Sequence, residues 1–248
     1  VGSEMCIRDS VYSVCARYKF FRENMVLEQN KCNDGNDNHV IGGRFNSYLN
    51  YGIIRGEQWL CQKGQDNMDP SSYPNGGDHF VKLCPLWQLL LYYREIIGGD
   101  KRDWYGDVAE IVRTTDQTGM TNGQLQLAFM RNTMDVLKVD LTDFFIKAGM
   151  LKPIDKELDD YARGWMTITK EECDELVNYA AKYPKTENPV FYYLSANCEN
   201  AFKNKLSVEG VYNEGIQIRN EWVIVDHDVW KNVTVFETYQ GDELKYAC

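Results

Sequence analysis

The sequence predicts a mostly α-helical chain followed by a small, incomplete β unit. Three observations carry that reading. From Val11 to about Tyr183, apolar residues recur at helical spacing between polar, Gly-rich breaks. Two capping signatures, Thr121 with Gln124 and Thr169 with Glu172, stand at the expected helix starts. After Pro184 the runs become short, β-branched and aromatic, with Gly or Asn turns between them.

Taken in order, VYSVCARYKFFRENMVLEQ carries its apolar residues at helical spacing with no Gly or Pro. The polar stretch KCNDGNDNHVIGG that follows has loop composition. Arg44 to Gln62 is read as a helix interrupted near Gly52 and Gly56, and QKGQDNMDPSSYPNGG as a second long loop. Asp78 is the expected N-cap of DHFVKLCPLWQLLLYYREIIGG, kinked at Pro85 and stopped by Gly98 and Gly99. DWYGDVAEIVRTTD forms a further amphipathic helix. Thr121 opens TNGQLQLAFMRNTMDVLK, Asp140 caps LTDFFIKAGM, and Thr169 opens TKEECDELVNYAAKY. The β unit runs over 188–248 and includes PVFYYLSA, GIQIRNEWVIVDHD, NVTVFETYQ and ELKYAC.

Composition narrows the function classes. A hydrophobic content of 44% with 13% aromatic residues is enough to build a core. The net charge is −10 and no stretch is rich in Lys or Arg, so nucleic acid and anionic membrane are poor partners. No run reaches the ~20 apolar residues that span a bilayer; LCPLWQLLLYY comes nearest and ends at Arg94 and Glu95. None of the eight cysteines forms a C-x-x-C pair, which argues against a zinc ribbon or thioredoxin-like site. Cys84, in an apolar run, reads as a small buried hydrophobe.

The first ten residues, VGSEMCIRDS, look like the translation of a transposon-end sequencing adapter. On that reading residues 1–10 are an artefact, the chain is a fragment cut upstream of Val11, and its C-terminus is truncated as well.

Candidate chemistry is sparse. The three histidines are His39, His79 and His227, and no two are spaced as H-E-x-x-H. There is no G-x-S-x-G and no Gly-rich phosphate loop. His79, at a helix start beside a Gly-rich loop, could bond a substrate oxyanion, though decorating the helix end is the plainer role. In V-D-H-D, His227 and its acidic neighbours suit a turn better than a metal site. Trp87, Tyr92, Tyr93, Trp104 and Tyr105 could line a sugar-stacking cleft, while helical spacing more commonly marks such residues as core. Gln88, next to Trp87, is the polar group expected to contact substrate. The cleft candidates are therefore His79, Trp87, Gln88 and Tyr92.

Three segments carry a family likeness: FVKLCPLWQLLLYYREIIG, DWYGDVAEIVR and QLQLAFMRNTMDVLKVDLTDFFIKAGML. Their order, with W-Q-L in the first and the D-L-T-x-F-F-x-x-x-G run of Asp140 to Gly149, resembles the enhancin-like, mucin-degrading zinc metallopeptidases. The likeness is most specific over Leu86–Leu91 and Asp140–Leu151. It implies that 11–183 is the helical C-terminal part of a zincin-type peptidase domain, and WKNVTVFETY is similar to a module that follows it in gut bacterial relatives. It further implies a secreted or cell-surface parent acting on glycoproteins such as mucins, with zinc held by H-E-x-x-H and a downstream Glu.

Those ligand positions have no match here, and Glu4, inside the adapter-like stretch, is not counted as one. The expected fragment holds no zinc, cuts no peptide, lacks the N-terminal half of its own domain and is prone to associate through exposed apolar surface. The alternative is a non-catalytic carbohydrate- or protein-binding module.

Overall fold

The computed structural model describes residues 44–62, 77, 79–160, 162–185, 192–195, 198–219, 222–226 and 228–247. The helix expected over 11–29, the loop after it, most of the loop expected over 62–77 and the Asp78 cap lie outside the described residues, as do His39 and His227. Helices dominate, and among the described residues the strands pair as two-stranded antiparallel hairpins. The chain is mostly α with small β elements.

Helix α1 (Arg44–Ser47) widens into a π-helical stretch, Tyr48–Ile54, and a 3-10 turn follows at Trp59–Cys61. Helix α2 (His79–Leu90) likewise continues as a π-helical stretch, Leu91–Ile97. Pro85 stands inside α2 without ending it. The stop comes at Gly98 and Gly99, both with positive φ.

Helix α3 (Trp104–Thr114) leads to α4 (Asn122–Leu137). Thr121 Oγ1 accepts from the Gln124 amide and Gln124 Oε1 from the Thr121 amide, at 3.2 and 3.0 Å, so the capping box closes as expected. The buried face of α4 is Gln126, Phe129, Met130, Thr133, Met134 and Leu137, a 3.6-residue stripe. Each large apolar side chain on it contributes about 1.5–3 kcal/mol by leaving water.

Helix α5 (Thr142–Lys147) starts where Asp140 Oδ1 accepts from the Thr142 amide, at 2.9 Å, and from its hydroxyl, at 2.6 Å. It ends at Gly149, whose φ of +76° suits glycine and whose position tolerates no side chain: a Cβ there would lie 2.1 Å from the Glu57 carbonyl.

Within the span expected to be helical, the chain instead forms a hairpin, β1 (Ile154–Asp160) with β2 (Ala162–Ile168). The physical reason is a shared spacing. Ile154 and Leu158 are four apart, which places them on one face of either a helix or a strand, while the pairing of Ile154 with Ile168 and Lys156 with Met166 settles the strand form. Helix α6 (Lys170–Ala180) follows, closed by the Thr169–Glu172 capping box.

Among the described residues, the region after Pro184 does not form one sheet. It holds a short helix, α7 (Glu199–Asn204), and two separate hairpins: β3 (Ile216–Arg219) with β4 (Trp222–Val225), and β5 (Glu237–Gln240) with β6 (Glu243–Ala247). Tyr192 and Tyr193, in the segment read as a strand, form a tight helical turn. The end of β6 reaches the helical core. Asn50 donates through Nδ2 to the Ala247 carbonyl at 2.8 Å and accepts through Oδ1 from the Ala247 amide at 3.2 Å.

Candidate functional site

The tyrosines of the π-helical continuation of α2 and the aromatic residues of α3 meet as a chain of edge-to-face contacts. Ring centroids lie 5.0 Å apart for Tyr92 and Tyr93, 6.3 Å for Tyr93 and Trp104, and 4.8 Å for Trp104 and Tyr105. Burial, and secondarily the neighbouring Tyr92, pushes the Tyr93 hydroxyl well above the usual tyrosine range. Trp87, Tyr93, Trp104 and Tyr105 are all buried, and Tyr92 is half-buried. The structure therefore places this cluster in the core, with Tyr92 at its edge. His79 occupies the first turn of α2.

Gln88 is fully buried. Its Nε2 donates to the carbonyls of Tyr192 at 2.6 Å and Leu194 at 3.1 Å, tying α2 to a segment over a hundred residues away. The group marked by the sequence for substrate contact spends both amide hydrogens on the backbone. Trp87 and Gln88 thus sit inside, because the face of α2 that carries them is the one that packs.

Two further buried glutamines act in the same way. Gln62 Nε2 donates to the carbonyls of Ala148 at 2.8 Å and Glu57 at 3.1 Å, and Gln126 Nε2 to Met150 at 2.8 Å. With the Trp59 amide donating to the Gly149 carbonyl at 2.8 Å, these bonds fix the turn after α5 from both sides. Among the described residues, buried amides thus act at both Leu86–Leu91 and Asp140–Leu151.

The most connected carboxylate is Asp135, on α4. It accepts from Tyr179 at 2.8 Å and Tyr183 at 2.7 Å, and Lys182 lies 3.4 Å away. Burial works to raise its pKa, but the bonds from Tyr183, Tyr179 and Lys182 outweigh it and hold the carboxyl below its ordinary range. Arg131 and Lys182 stack over the Tyr179 ring, 3.8 and 3.6 Å from its centre. The arrangement clamps α6 to α4.

Around the V-D-H-D segment the described residues form a turn. Asp226 Oδ1 accepts from the Asp228 amide at 2.9 Å, and the Trp230 amide donates to the Asp226 carbonyl at 2.8 Å. Among the described residues, no group of three or more His, Cys, Asp or Glu side chains could hold a metal ion, so they do not fit a zinc site and no catalytic step is assigned to them. Also among the described residues, no helix is long and apolar enough to cross a membrane.

The sequence reading passed over the outer face of the β1–β2 hairpin. There Trp165 is 59% exposed, with its Nε1 donating to Asp155 Oδ1 at 2.7 Å. The signal that could have found it was the alternation of charged and apolar residues from Ile154 to Ile168.

No family model and no curated protein matches the chain. Solved structures share its fold, two metallopeptidases among them. A metallopeptidase in complex with Tn antigen superposes with a TM-score of 0.54 at 18% identity, over 81% of this chain and 39% of its own. A metallopeptidase from Bacteroides thetaiotaomicron gives 0.53 at 17% identity, over 83% of this chain and 36% of its own. The chain thus spans under two fifths of either protein, and at these identities the likeness is one of fold.

Proposed function

We propose that this chain is the C-terminal part of an enhancin-like zinc metallopeptidase that hydrolyses peptide bonds in glycoproteins such as mucins, outside the cell or at its surface. The observation that carries the proposal is the shared fold with part of two metallopeptidases, one of them in complex with Tn antigen. The motif order from Phe80 to Leu151, a property of the sequence and not of the superposition, also supports it.

In this reading the zinc and the residues that work with it belong to the part of the protein before Val11, and Glu4 is not among them. The described residues supply scaffold. Buried Gln62, Gln88 and Gln126 hold the helices and the turn after α5 in register. Trp87 and Gln88 support the cleft wall from within the core, Tyr92 at its edge contacts substrate, and His79 in the first turn of α2 is a further candidate.

The test is proteolysis of an O-glycosylated protein by the longer protein that includes the upstream region, alongside this chain alone. The proposal expects chelator-sensitive cleavage by the longer protein and none by this chain. Stoichiometric zinc with cleavage by this chain, or no cleavage by the longer protein, contradicts it.

A further inference from the structure

The β1–β2 hairpin buries one face and presents the other. Leu158, Met166 and Ile168 turn inward and are buried. Asp155, Glu157 and Asp159 alternate outward on β1, as do Arg163, Trp165 and Thr167 on β2. In register, Asp155 faces Thr167, Glu157 faces Trp165, and Asp159 faces Arg163.

The exposed indole is held, not loose. Asp155 Oδ1 accepts from Trp165 Nε1 at 2.7 Å and from Thr167 Oγ1 at 3.1 Å. Beside it, Arg163 Nη2 donates to Glu157 Oε2 at 2.8 Å. The strand beneath is fixed as well: Asn122 Nδ2 donates to the Trp165 carbonyl at 3.1 Å. Gly123 lets the first turn of α4 approach so closely that a Cβ there would lie 1.8 Å from the Thr167 carbonyl. A ligand meeting this ring therefore has little side-chain entropy to freeze.

An anchored aromatic face with a polar rim suits a ligand that is apolar on one side and hydroxylated at its edge. A pyranose ring has that form: its C–H face lies on the indole and its hydroxyls reach the rim. Among the described residues, Asp155 Oδ2 has no protein partner and can accept a hydroxyl. The rim carries Asp155, Glu157 and Asp159 against Arg163, which is already paired with Glu157. That balance favours neutral sugars and repels anionic ones.

We infer that the outer face of the hairpin binds a neutral pyranose, with Trp165 as the stacking platform and Asp155 and Glu157 as hydroxyl acceptors. The inference rests on the glycoprotein reading above and narrows it, since the bound sugar would belong to the substrate's glycan. It also moves glycan contact away from the buried aromatic cluster of α2 and α3.

The experiment follows the Trp165 indole N–H resonance of the 15N-labelled chain during titration with three probes. These are a glycopeptide bearing N-acetylgalactosamine, the same peptide without sugar, and its sialylated form. The Trp165 resonance, assigned by its loss in Trp165→Phe, should move with the neutral glycopeptide. The bare peptide should leave it in place, and the sialylated form should bind several-fold more weakly. Trp165→Ala should weaken binding by about tenfold or more with the melting temperature nearly unchanged, as expected for loss of a central aromatic anchor.

An unmoved resonance, equal binding of the bare peptide, or unaltered affinity in Trp165→Ala would overturn the site. Because this assay reads binding alone, its failure leaves the peptidase reading to the cleavage assay.

Discussion

The aromatic residues of α2 and α3 and the tryptophan of the β1–β2 hairpin meet solvent in opposite ways. Trp87, Tyr93, Trp104 and Tyr105 are withdrawn into the core, where Tyr93, Trp104 and Tyr105 pack edge to face. Trp165 stands on an outer strand face, anchored by a single carboxylate. The first group has the higher aromatic density, yet its buried members offer a ligand little surface, and Tyr92 beside them is half-buried. Aromatic abundance in a helix thus reports packing, whereas a lone aromatic on the polar face of a strand reports presentation.

Three substitutions sharpen that contrast. The largest effect is expected from Trp104→Ala, which empties a fully buried site and should cost ~3–5 kcal/mol in chemical denaturation. A loss under about 1 kcal/mol would mean that the cluster is not core. Gln88→Leu comes next. It strips the donors from the Tyr192 and Leu194 carbonyls and should cost about 1–3 kcal/mol, with faster proteolysis around those two residues. Unchanged proteolysis there would show that the amide is not a clamp. The smallest effect belongs to Trp165→Ala, expected to cost below about 1 kcal/mol because it removes one exposed cross-strand contact. A large destabilisation would place Trp165 with the core group instead.

Local signals were legible in the sequence. Both capping boxes and the Gly98–Gly99 stop are short-range chemistry, and each forms where the residues predict it; Asp140 bonds the Thr142 amide from one residue before the N-cap, Leu141. Composite signals were not. The hairpin at 154–168 shares its four-residue apolar spacing with a helix, so periodicity alone could not separate the two. The run after Pro184 correctly suggested strands, but pairing partners are a tertiary property. The outcome was two separate hairpins and a helix at Glu199–Asn204.

The site was harder still. Gln88 looked like a polar group available to substrate because its partners, Tyr192 and Leu194, are remote in sequence. Trp165 drew no attention because its anchor, Asp155, becomes its neighbour only through strand register.

The central claim is that this chain continues a zinc metallopeptidase, and the DNA upstream of the codon for Val11 tests it most directly. In an independent assembly of the same locus, that region is predicted to encode H-E-x-x-H followed by a downstream Glu, in frame with Val11. An in-frame stop, or an open frame lacking that motif, would contradict the account.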